Sequence, residues 1–151
     1  MKNSYIENNN NLIFEVFKNT PHMGIILDEN SNIIMANNLF YELFEARESE
    51  VINNHFSEFL DSYGFINFLS NFVKSDETKG NIHQPLFLRR EKKHYYFTFT
   101  KLSLDKNYVM IHGKDQTKLR EKQIEIENLK ISTQHIYKLA ILGEMASGVS
   151  L

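Results

Sequence analysis

The chain is expected to fold as α+β, with a five-stranded antiparallel sheet, helices gathered on one face, and a long C-terminal coiled-coil helix. Three observations predict this. An apolar hairpin pattern stands at residues 23–36, the hydrophobic period changes to two after Gly80, and a proline-free stretch with heptad spacing closes the chain. The links between the later strands are far too short for parallel crossovers, so the pairing must be antiparallel.

The elements follow in order. The run Asn8 to Asn11 is polar and expected to fray. Leu12, Ile13, Val16 and Phe17 recur at helical spacing and predict a short flanking helix that ends before Pro21. Met23 to Asp28 reads as a strand, Glu29-Asn30-Ser31-Asn32 as a turn, and Ile33 to Ala36 as the partner strand. Asn37 or Asn38 caps a helix carrying Leu39, Phe40, Leu43 and Phe44, with shorter helical turns near Ser49 and from Ser57 to Leu60. Tyr63 to Val73 forms the longest central helix, placing Phe65, Ile66, Leu69, Phe72 and Val73 on one stripe. Beyond Gly80, Ile82, Leu86 and Leu88 alternate with polar partners, and Arg90-Glu91-Lys92-Lys93 reads as a charged turn. Tyr95, Phe97 and Phe99 share one face of the next strand, Tyr96, Thr98 and Thr100 the other. Asp105-Lys106-Asn107 turns the chain into a last strand, Tyr108 to His112.

From Lys118 to Ser150 the pattern is different. Leu119, Ile126, Leu129, Ile136, Leu139, Leu142, Met145 and Val149 follow steps of three, four or seven with charged flanks. A helix of about 30 residues is roughly 45 Å long and cannot bury such a seam against so small a domain. The expected partner is the same helix of a second chain, with Leu119, Ile126, Leu129, Ile136, Leu139 and Met145 forming the seam of a parallel homodimer.

Composition narrows the function. At 151 residues and 17.8 kDa the chain has room for one compact domain and an appendage. Lysine and arginine total 17 against 19 acidic residues, a formal charge of −2, which gives no support for nucleic-acid binding. With no cysteine there is no disulfide, no thiolate metal site and no cysteine nucleophile. No apolar run reaches the ~18 residues of a membrane span, so no membrane contact is expected of this segment. The expected compartment is the cytoplasm, compatible with a parent protein anchored elsewhere in a membrane.

Two segments resemble known families. Ile33-Ile34-Met35-Ala36-Asn37 is similar to the "I-x-x-A-N" phrase that follows the first hairpin of PAS domains, and Asp115-Gln116-Thr117 to the D-x-T motif that closes them. Their order and spacing across the β-β-helices-β-β-β pattern resemble a PAS domain over roughly residues 12–117; glycines common in that family near Asn32 and Lys92 are absent. Leu139-Ala140-Ile141-Leu142-Gly143-Glu144-Met145-Ala146-Ser147-Gly148-Val149-Ser150 resembles the start of the dimerisation and phosphotransfer helix of sensor histidine kinases, where "L-G-E-M-A-x-G-[IV]-[AS]" leads to the phosphoaccepting histidine. Leu151 stands at that histidine's position, which predicts a truncation just before it, Leu151 being left from a cloning or tag junction. The implied division is 1–20 flanking helix, 21–117 PAS sensory domain, and 118–151 signalling helix.

The resemblance implies a sensory module that regulates autophosphorylation of a parent kinase through a dimeric coiled coil, with a response regulator downstream. This chain has no nucleotide-binding domain and no phosphoacceptor, so it is not expected to be an enzyme itself. A PAS module feeding a cyclase or chemoreceptor output is the alternative. A small α+β enzyme is the rival class, against which stands the absence of a glycine-rich phosphate loop or a nucleophile with a plausible base. By resemblance, Asp115 and Thr117 transfer the signal by hydrogen bonds or ion pairs across the strand-to-helix junction; read locally, either caps the helix beginning at Lys118, worth ~1 kcal/mol.

Twelve phenylalanines suggest two uses for Phe56, Phe59, Ile66, Leu69, Phe97 and Phe99: the lining of a pocket for an apolar or aromatic ligand with one polar group, or plain core. No cofactor is required. Haem-binding PAS domains carry the axial histidine on the long central helix, and Tyr63 to Val73 has none, so haem is not expected; cysteinyl-flavin chemistry is excluded. The six histidines lack metal-ligand spacing, and no metal is expected, although His94 and His112 are candidates for neighbours across two strands.

Overall fold

The computed structural model describes residues 12–149, with side chains described through Glu144, so Met145 of the seam lies outside the described side chains. The chain divides into two compact units, 1–115 and 116–151.

In the first unit, β1 (Met23–Leu27) and β2 (Ile33–Ala36) form the opening hairpin. Its turn is held by the Asp28 carboxylate, which accepts the N–H groups of Asn30 and Asn32, each at 2.9 Å. Ser31 takes the left-handed conformation that glycine would otherwise supply, with φ of 63°. Three helices follow: α2 (Asn38–Phe44), α3 (Glu48–Val51) and α4 (Tyr63–Lys74), with a 3₁₀ turn at Phe56–Glu58. Asn37 and Ser62 cap α2 and α4 by accepting from Phe40 N and Phe65 N respectively. The chain then runs through β3 (Lys79–Leu88), β4 (Glu91–Ser103) and β5 (Asn107–Asp115). All pairs are antiparallel, and the five strands lie in the order β2-β1-β5-β4-β3.

The period-two pattern does what it should. Met23, Ile25 and Leu27 of β1, Tyr95, Phe97 and Phe99 of β4, and Val109 and Ile111 of β5 are buried on one face beneath α2–α4. The Phe65 ring of α4 sits at the centre, 5.0 Å from Phe97, 5.4 Å from Phe99 and 5.7 Å from Phe56. Phe40 joins Phe44 at 4.6 Å and Phe59 at 5.5 Å. These separations are those of packed aromatic rings.

The structure places the flanking helix and corrects two expectations. The helix predicted from Leu12 onward (α1, residues 12–18) does not join the others: its one buried side chain, Phe17, lies against Gly24 and His112, which point to the opposite face from Ile25 and Ile111. The reason is the missing Cβ of Gly24, which would otherwise stand 3.1 Å from both Phe17 and His112. The charged turn is shorter and earlier than Arg90 to Lys93: Leu88 pairs with Glu91, leaving a two-residue loop in which Arg89 and Arg90 both take positive φ, 51° and 69°. His94 and His112 are not neighbours, since the ladder sets Thr98 opposite His112 and Pro85 opposite His94.

The second unit is α5 (Thr117–Val149), 33 residues long and about 50 Å by helical rise. Every described side chain from Lys118 to Glu144 is exposed, including the seam residues Leu119, Ile126, Leu129, Ile136 and Leu139. Among the described residues no helix is long and apolar enough to cross a membrane.

Candidate functional site

Two features stand out, at opposite ends of the same strand pair. The pairing of β1 with β5 runs from Met23 opposite Gly113 to Leu27 opposite Val109. At the second end, where β1 leaves the sheet and β5 enters it, there is a cleft of about 320 Å³. Leu27, Leu69, Val73 and Val109 supply apolar walls, and Asp28, Glu29, Lys101, Ser103, Asn107 and Tyr108 supply polar ones. The volume lies at the lower end of the small-molecule range.

Local hydrogen bonds shape this cleft. Glu29 accepts from the backbone N–H of Asn107 at 3.3 Å, which ties the first turn to the start of β5. The Tyr108 hydroxyl donates to Asp105 at 3.1 Å; that bond, with the Asp105, Glu29 and Asp28 carboxylates nearby, holds the phenol above its ordinary value. Lys101 donates to the Ser75 carbonyl, and its ammonium stands 5.0 Å from the Phe72 ring centroid, so the cleft's cation is already engaged. The cleft therefore combines apolar walls with the Asp28 and Glu29 carboxylates, which accept from backbone N–H groups, chemistry suited to a small apolar molecule bearing a cationic or hydrogen-donating group.

Of the residues singled out from sequence, Leu69 lines this cleft, and Leu69, Phe56 and Ile66 line a second, shallower one of about 280 Å³ with His55 and Val73. Phe97 and Phe99 line neither; they are wholly buried against Phe65. Phe59 is packed on Phe40 and Phe44. Sequence reasoning missed Asp28, Glu29, Asn107 and Tyr108. Two turns distant in the chain come together here only through the β1–β5 ladder, and no local pattern announces that pairing.

The other end carries the junction. β5 ends at Asp115 and α5 begins at Thr117, with Gln116 the only residue between them. Asp115 pairs with Tyr95 in the ladder, and its carboxylate lies 3.9 Å from Lys93 Nζ. Burial, and after it the Asp115 charge, push the Tyr95 phenol up to about 12. Among the described residues no group of three or more histidine, cysteine, aspartate or glutamate side chains is placed to hold a metal ion.

No protein-family model matches this sequence, and no curated protein does. Solved structures do. The PAS domain of an HTR-like protein from Haloarcula marismortui superimposes with a TM-score of 0.59 at 19% identity, covering 72% of this chain and 98% of that one. A PAS domain from a two-component sensor histidine kinase matches at 0.58 and 10% identity, covering 72% and 97%. An RNA-binding light-oxygen-voltage receptor matches at 0.68 and 11% identity over 84% of this chain, which spans 38% of that one. The chain has the PAS fold.

Proposed function

We propose that this chain is the sensory and dimerising module of a two-component sensor histidine kinase, in which the state of the PAS core sets the geometry of paired α5 helices and so regulates autophosphorylation. The observation that carries the reading is α5 itself: a 33-residue helix, begun two residues after the last strand, whose apolar seam is exposed along its described length. A monomer rarely leaves such a stripe uncovered, and a second copy covers it by knobs-into-holes packing. The phrase from Leu139 to Ser150 and the likeness in fold to a histidine kinase PAS domain support the kinase output.

In this reading the cleft beside Tyr108 receives a small ligand, β5 connects that end of the sheet to Asp115, and Asp115 with Thr117 passes the change to α5. The chain performs no chemistry; the phosphoacceptor and the nucleotide-binding domain belong to the parent protein, in the cytoplasm, and a separate response regulator receives the phosphoryl group from it. No metal or cofactor takes part. The experiment is made in the intact kinase: Asp115→Ala is expected to leave autophosphorylation present but no longer responsive to stimulus. A folded variant that still responds as the wild type does overturns the coupling role. A gene with no kinase core after Ser150 overturns the kinase output and favours another PAS-linked output.

A further inference from the structure

His112 occupies an unusual place. It lies on β5, on the face away from α2–α4, and its Nε2 atom is buried with no hydrogen-bond partner among the described residues. Buried polar atoms are nearly always paired, so this one calls for a reason. The ring is covered by Phe17 of α1, centroids 6.3 Å apart, and it borders the space that the absent Cβ of Gly24 leaves open.

The cover is lightly fastened. Phe17 is the only buried side chain of α1; Leu12, Ile13, Phe14 and Val16 are exposed. The connection behind it is firm, because Asn37 Nδ2 donates to Thr20 Oγ1 at 2.9 Å and to the His22 carbonyl at 2.5 Å. A helix whose described residues, 12–18, bury one ring, on a linker anchored at its far end, can leave the sheet while the PAS core stays intact.

We propose that His112 is a proton-binding site whose charging releases α1 from the sheet, making proton concentration an input to this domain. A cationic imidazolium has a second N–H to satisfy. At Nε2 that N–H is buried, where no described acceptor waits, and removing a charge from water without a partner is costly. Lifting Phe17 opens the His112 ring to water at the loss of one phenylalanine's burial against Gly24 and His112.

The surrounding groups give the proton no compensation. The loop before β1 brings His22, whose charge acts against a second cation. β5 brings Lys114 two residues along the same face, and β4 sets Thr98 opposite with Tyr96 beside it. β1 contributes Gly24 and Ile26, both uncharged. α1 contributes Glu15 and Lys18, and Glu15 accepts from the Asn19 side chain at 3.4 Å. Burial first and His22 second lower the His112 value below the ordinary 6.5. The sign follows: the docked state favours neutral His112, so docking is complete above pH 6.5 and is lost as the pH falls below it through the depressed value.

The proposal is independent of the kinase reading, and nuclear magnetic resonance of the whole chain tests it. In a titration from pH 8 to 5, the His112 ring should titrate below 6.5 and the backbone amides of residues 12–18 should move with the same midpoint. His112→Phe should abolish the movement and keep α1 docked at pH 5. His22→Gln should raise the midpoint and preserve the transition. Amides of α1 that do not follow the His112 ring in the wild-type chain overturn the proposal, whatever the variants do. So does a transition that persists in His112→Phe or vanishes in His22→Gln.

Discussion

The helix-facing side of the sheet and the seam of α5 are both rich in large apolar side chains, yet one is closed and the other open. Beneath α2–α4, Phe65 meets Phe97, Phe99 and Phe56 within 5.7 Å, and residues at strand period and helix period cover each other inside one unit. Along α5, Ile126 is 53% exposed and Leu129 60%, on a single helix with no second layer of its own. The same hydrophobic free energy, about 25 cal/mol per Å², is already realised in the first region and still available in the second. What separates them is topology: a sheet with helices closes on itself, whereas a straight helix has nothing of its own to close on.

The contrast can be broken from either side. The largest effect belongs to the closed region: Phe65→Ala removes the central ring and should cost about 3–5 kcal/mol, read as a lowered denaturation midpoint of the sheet unit. On the open side, Ile126→Lys combined with Leu129→Lys should raise the dimer dissociation constant at least ~100-fold, about 2.7 kcal/mol, in analytical ultracentrifugation. The sheet unit's melting should not change. A wild-type chain that sediments as a monomer at every accessible concentration would defeat the paired-helix reading.

Smaller effects sharpen the comparison. Asn37 is wholly buried; its Oδ1 accepts from Gly24 N at 2.9 Å and Phe40 N at 3.1 Å. Asn37→Ala strands both donors and should cost about 2 kcal/mol in thermal denaturation, with α5 association unaffected. Arg90→Gly should stabilise the sheet unit by ~1 kcal/mol, because Arg90 holds a φ of 69° that glycine adopts freely. The Tyr95 phenol, raised from 10.0 to about 12, stays protonated in the fold, so its contribution is complete below pH 10 and is lost as the pH rises through 12. Phenolate absorbance should show that midpoint, and Asp115→Asn should bring it modestly down.

Much of the fold was legible in the chain because its signals are local. The alternation of Tyr95, Phe97 and Phe99 and the stripe of Phe65, Leu69 and Phe72 each state their own burial, and the residues bear this out. Three things were hidden, two of them because they are not local. The side of the sheet that α1 covers depends on an absent Cβ at Gly24, which reads in sequence as one more residue of a strand. The two-residue turn at Arg89 and Arg90 is local but violates the usual Asn-Gly preference, so it starts one residue before the charged run and ends three residues short of its end. The cleft is made where the turn at Asp28 and Glu29 meets Asn107 and Tyr108, residues nearly 80 positions apart joined by the Glu29–Asn107 bond.

The strand order carries a consequence for how such a chain is made. β5 lies between β1 and β4, so the last strand to leave the ribosome is the one that joins the first hairpin to the rest of the sheet. Until residue 115 is available, β1–β2 and β3–β4 are separate ribbons, each with a naked edge and half a core. Assembly is thus timed by synthesis: the domain cannot close early around an incomplete message, and α5 is translated only after every strand of its own sheet.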